Sequence, residues 1–295
     1  MKGKRIAVGT MVDGLIPDPV GYMAKLIPHG FECFQITFWQ HLGDKDLEKL
    51  ADEVRTLLDP LGIPISSVGV YGNPLEEDEM AGLTRRGLEK AINAAPLFGT
   101  SVVSGFTGRL RNSPIPDSIP AYQRVFGPLA DRAVKQGVSL ALENCAMGGT
   151  WKCGDWNLAH GPDAWELLFE ALPHQNIGLE WETCHQMINL IDPMAQLPHW
   201  VDRVLHVHGK CANVHHDIIK KHGIHGNKPA FFHRFPGLGD ADWTTVFSIL
   251  TAHNYAGNID IEGWHDPVFK DETEIEGQIN SLSYLKTCRS KASLS

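Results

Sequence analysis

The run VLHVHGK places two histidines, His206 and His208, one residue apart among aliphatic neighbours. Residues two apart on a strand share a face, so both imidazoles point the same way, and Val204, Leu205 and Val207 indicate burial on both sides. Two buried imidazoles need partners, because an unpaired buried polar group is costly. They are either core histidines satisfied by hydrogen bonds or the place where a metal is held. Carboxylates recur at the same spacing: Glu180 with Glu182 in NIGLEWE, and Asp260 with Glu262 in NIDIEGW. Glu143 stands near the end of a further apolar run, VSLALENC.

Eight β-rich runs could carry such residues: 5–11, 33–39, 64–71, 101–107, 138–145, 176–182, 204–210 and 258–264. Helical stretches separate many of them. Residues 44–62 begin with acidic side chains, align Leu47, Leu50, Val54 and Leu58 on one face, and end at Gly62. Further helices are expected over 83–99, 120–137 and 161–173, the last opening with Pro162. Strands alternating with helices over 295 residues, without a Pro/Ser-rich linker, argue for parallel βα units in a single domain, 1–295. An open doubly wound sheet is the competitor. GTMVDGLIPDP after the first strand lacks a G-x-G-x-x-G turn, and no P-loop occurs. The expected fold is therefore an α/β (β/α)8 TIM barrel with a long loop after strand seven.

In such a barrel chemistry sits at the C-terminal ends of the strands. Glu143, Glu182, His208 and Glu262 fall at the ends of strands five to eight. Three carboxylates converging without a cation would repel one another and resist ionisation. A divalent metal resolves that conflict, so the residues favour a metal site over a network of structural hydrogen bonds. A carboxylate-rich set with one imidazole suits Mn2+ best, with Mg2+, Co2+ or Zn2+ as alternatives; a closed structural zinc site would prefer thiolates.

These strand ends resemble the xylose-isomerase-like TIM-barrel superfamily of sugar phosphate isomerases/epimerases and ketose 3-epimerases. LALENC, NIGLEWETCH, LHVHGK, HRFPGLGDADW and YAGNIDIEGW are similar to its segments in the same order. The resemblance implies that Glu143, Glu182, His208 and Glu262 are metal ligands and that Glu143 and Glu262 also act as acid and base. It implies that His185 and Arg234 contact the substrate. Two positions depart from the pattern. Glu182 stands where the family usually has Asp, so its longer side chain must retract or the ion must shift. Cys211 follows Lys210 where the family has an acid. Lys210 itself could reach the site or simply end its strand.

The implied function is a divalent-metal sugar isomerase or epimerase that moves a proton through an enediolate. A lyase that cleaves 3-keto-glycosides by elimination shares the first step and is the main alternative. A phosphodiesterase of the endonuclease IV type would need more ligands than ITFWQH, GVYGN and SGFTG provide. Net charge of −9 also disfavours nucleic acid as a partner. A catalytically silent sugar-binding barrel would lack one of the two glutamates. The expected partner is a small-molecule sugar, in a homo-oligomer or with a partner subunit, and no membrane is involved. Six scattered cysteines without a C-x-x-C pair read as reduced thiols. With no signal-like start, a cytoplasmic setting is expected. Seven of the fifteen histidines fall between 206 and 233, a concentration that suggests a lid or a solvated loop.

Overall fold

The computed structural model describes residues 5–292. The chain runs through β1 (Val8–Asp13), α1 (Pro19–Leu26), β2 (Phe34–Trp39), α2 (Leu47–Leu58), β3 (Ile65–Tyr71), α3 (Glu79–Ala94), β4 (Val102–Gly105), α4 (Ile115–Gln136), β5 (Ser139–Glu143), α5 (Pro162–Ala171) and β6 (Ile177–Glu182). It continues through α6 (Thr183–Ile188), α7 (Pro193–Trp200), β7 (Val204–Gly209), β8 (Cys211–Val214), α8 (His216–His222), β9 (Phe231–Arg234), α9 (Trp243–Ala252), β10 (Ile259–Ile261) and α10 (Glu274–Ala292). Eight strands close in the order β1-β10-β7-β6-β5-β4-β3-β2, while β8 and β9 form a separate two-stranded sheet. This is the (β/α)8 barrel expected from the alternation. By internal contacts the chain divides into two compact units.

The larger unit comprises 11–181 with 203–206. Its strands pair in parallel from β2 to β6. Phe34, Ile36 and Phe38 of β2 and Val68 and Val70 of β3 are fully buried. Helix α2 shows how the sequence fixes its bounds. Asp46 accepts hydrogen bonds from the Glu48 and Lys49 amides, satisfying two of the donors orphaned at a helix start. Leu47, Leu50, Ala51, Val54 and Leu58 form the buried stripe, and a 3-10 turn then ends at Gly62, whose φ of 65° needs no Cβ. Helix α4 begins at Ile115, one turn before the expected Pro120. Burial of Ile115 and Ser118 holds that first turn despite the proline.

The smaller unit takes in residues up to Thr10, Glu182–Asp202 and the chain from Val207 onward. Here β10 pairs in parallel with β7, setting Asp260 opposite His208, and with β1. The first strand lies at 8–13 rather than 5–11, anchored by the Thr10 hydroxyl donating to the Ile261 carbonyl at 3.1 Å. Asp242 caps α9, accepting from the Thr244 and Thr245 amides. The stretch expected to be a long loop is partly regular. Residues 211–214 and 231–234 pair antiparallel, with α8 between them. Four-residue strands with polar Asn213 and His233 carry too little alternation to be read from sequence.

Candidate metal centre and active site

In the larger unit His206 has its partner. Its Nδ1 lies 2.9 Å from Glu180 Oε1, and both side chains are essentially inaccessible. Glu180 also accepts from Gln35 Nε2 at 2.8 Å and from the Tyr71 hydroxyl at 2.7 Å. Ser104 Oγ accepts a second hydrogen bond from Gln35 and lies 2.8 Å from Ser67 Oγ. Burial, then the charges of Glu180 and Glu143, push the Tyr71 phenol well above its ordinary pKa, so it stays protonated and donates. Glu143 itself is buried as the last residue of β5, opposite Glu180 of β6.

His208 has different company, in the smaller unit. Ligand atoms of Glu182, His208 and Glu262 lie within 4.8 Å of one another, and all three residues are buried. Glu182 does not reach straight outward. Its side chain folds back to cap α6, accepting from the His185 amide at 3.2 Å and meeting His185 Nε2 at 2.9 Å. Glu262 Oε2 stands 3.2 Å from His208 Nδ1, yet this buried oxygen makes no hydrogen bond. A carboxylate oxygen left in that state, beside an imidazole and a second carboxylate, fits a divalent cation.

Lys210 reaches the cluster: its ammonium donates to Glu262 Oε1. Burial opposes ionisation of Glu262, but Lys210 and His208 outweigh it and hold the carboxyl well below the usual range. Cys211 takes a structural part. Its sulfur accepts from the Ala241 amide at 3.1 Å, and burial pushes the thiol up to about 11. It therefore anchors the 236–241 turn as a neutral group, and Lys210 is oriented by Glu262 itself.

Arg234 is anchored by two side chains. Its Nε donates to Asp266 at 3.0 Å and its Nη1 to Asn213 Oδ1 at 3.2 Å. Beside His185 stand His233, from the histidine-rich stretch expected to be a lid or solvated loop, and His265. The His185 and His233 ring centroids are 5.5 Å apart, and those of His233 and His265 5.4 Å, both edge-to-face. Burial, then Lys210, lower the pKa of all three, that of His233 to about 4, so the rings are neutral near pH 7. Only pairing across β8 and β9 and the turn after β10 put His233 and His265 there; nothing in their spacing signals it. The polar face of β2 did carry a signal, since Gln35 and Thr37 alternate with apolar residues.

Residues 24–288 match the family model of the xylose isomerase-like TIM barrel. The chain belongs to this family. Among curated relatives, inosose dehydratases from Clostridium tetani and Halalkalibacterium halodurans are 31% and 34% identical over 109 residues. Each match covers 35% of this chain and 35% of the relative, so the chain spans about a third of the length of the relatives it matches. Solved structures share the fold over nearly the whole chain. An L-ribulose 3-epimerase superposes with a TM-score of 0.71 at 19% identity, covering 98% of this chain and 97% of that one. A 3-keto-D-glucoside 4-epimerase from E. coli gives 0.69 at 19% identity, covering 96% and 100%. A D-psicose 3-epimerase crystallised in the presence of D-fructose gives 0.70 at 15% identity, covering 96% and 99%. The family model and these neighbours agree on the barrel fold.

Proposed function

We propose that this chain is a divalent-metal-dependent sugar isomerase or epimerase, working as one catalytic domain on a ketose or keto-sugar. The observation that carries the reading is the buried Glu182–His208–Glu262 cluster with an unsatisfied Glu262 oxygen. Glu143 is assigned as the fourth ligand, because parallel strands in a closed barrel present their C-terminal ends together and it ends β5 as a buried carboxylate. Mn2+ is the assigned ion. When bound, the cation supplies Lewis-acid polarisation of the substrate carbonyl.

The protein's own groups then move the proton. Glu262 or Glu143 takes a proton from the carbon next to the carbonyl, giving an enediolate, and the other returns one to the opposite face. Inversion at that carbon is epimerisation. His185, held by Glu182, orients the carbonyl oxygen. Arg234, held by Asp266 at the end of β9, contacts a substrate oxygen. The setting assigned is cytoplasmic. Among the described residues no helix is long and apolar enough to cross a membrane.

Local identity to inosose dehydratases supports a second reading, elimination. The first proton abstraction is shared; a β-hydroxyl or aglycone then departs instead of a proton returning. The test is proton NMR of the Mn2+-loaded protein in D2O with D-fructose, inosose and a 3-keto-glucoside. Deuterium at one carbon with a new diastereomer establishes epimerisation. Exchange with loss of water or aglycone establishes the lyase. Absence of exchange from all three with metal bound overturns both readings.

A further inference from the structure

His185 is buried, His233 half-buried and His265 exposed, so the three rings step from the candidate ligand Glu182 out to solvent. The outer two are held in place. Cys184 Sγ lies 3.4 Å from His233 Nδ1, which leaves Nε2 as the atom a ligand would meet. His265 has a φ of 71°, a left-handed conformation uncommon for a residue with a Cβ and maintained only where the surroundings impose it. Asp266 imposes it. Its carboxylate accepts from Arg234 Nε and the Phe235 amide after β9, and from the Val268 and Phe269 amides after β10. One buried side chain thus ties together the two segments that carry His233 and His265.

We propose that His233 and His265 continue the site outward from His185 as a row of imidazoles that binds hydroxyl groups of a neutral polyol substrate, remote from its reacting carbonyl. The proposal rests on the sugar-enzyme reading above and names the substrate class for it. A neutral imidazole offers one donor and one acceptor, the complement of a hydroxyl, which offers both. A phosphorylated substrate would call for uncompensated cations. Lys210, whose charge acts on His233 and His265, is paired with Glu262, and Arg234, next to His233 in the chain, is paired with Asp266. The row therefore selects an unphosphorylated sugar or cyclitol.

The test is NMR of the full chain carrying 13C,15N-labelled histidine and loaded with diamagnetic Mg2+, with imidazole signals assigned through His233→Gln and His265→Gln. D-fructose, inosose and inorganic phosphate are titrated separately. The expected result is a shift of the His233 and His265 signals with at least one polyol and not with phosphate. Each Gln variant is expected to weaken polyol binding about three- to tenfold, one hydrogen bond's worth. If neither polyol moves these signals, or if only phosphate does, the proposal is overturned. Signals that shift without deuterium exchange would remove the assigned reaction and leave the row standing; exchange without shifts would remove the row alone.

Discussion

His206 and His208 share one strand and one face, yet one belongs to a closed network and the other to an open cluster. Around His206, Glu180 accepts from Gln35 and Tyr71 as well as meeting the imidazole. Gln35 and Tyr71 also reach Ser104, which knits these buried side chains into one network. Around His208, Glu262 balances an ammonium against an imidazole and still keeps a buried oxygen without a hydrogen bond. The lesson concerns satisfaction rather than composition. Both places hold buried Glu and His, and the unmet hydrogen-bonding capacity of Glu262 is what singles out the proposed site.

The largest expected effect breaks the open cluster. Glu262→Gln removes a proton carrier and a charged ligand, so turnover should fall by about 10³-fold, within the range for a positioned acid or base. Circular dichroism should show the fold intact. Breaking the closed network should do the reverse. Glu180→Ala leaves His206, Gln35 and Tyr71 to find other partners and should cost about 3–5 kcal/mol in urea unfolding, with metal affinity little changed.

Adding Mn2+ sharpens the contrast. At about a hundredfold excess over Kd the wild type should gain about 2.7 kcal/mol, and Glu262→Gln should gain far less. The smallest effect concerns pH. Asp266 is buried, which raises its pKa, but the Phe269, Val268 and Phe235 amides and Arg234 outweigh burial and depress it. A depressed carboxylate contributes stability that is present above its unfolded pKa of about 3.9 and lost as pH falls through the folded value. Asp266→Asn should therefore flatten the acid limb of a stability–pH curve while lowering stability at pH 7.

Much of this was legible in the sequence, for definable reasons. Strand alternation put Glu180 with Glu182 and His206 with His208 on common faces, and the eight runs fell within a few residues of the barrel strands. The cluster of Glu182, His208 and Glu262 followed from counting strand ends. Alternation could not tell which histidine was satisfied, because Gln35 and Tyr71 come from strands more than a hundred residues away. Sequence alone does not decide Lys210, since its reach depends on where Glu262 lies across the sheet. The histidine-rich stretch ending at His233 stood out, but where His233 and His265 lie did not, because an antiparallel pairing and a left-handed turn place them and neither leaves a periodic trace. The part Asp266 plays is visible only in the hydrogen bonds it accepts, from amides on both sides of it in space.

The most direct test is the metal content of His206→Gln and His208→Gln, measured by inductively coupled plasma mass spectrometry after equilibration with Mn2+ and gel filtration. The account predicts that His206→Gln retains one ion per chain at reduced stability and that His208→Gln loses it. Equal metal content in the two variants would contradict the assignment of His208 to the site and of His206 to the core.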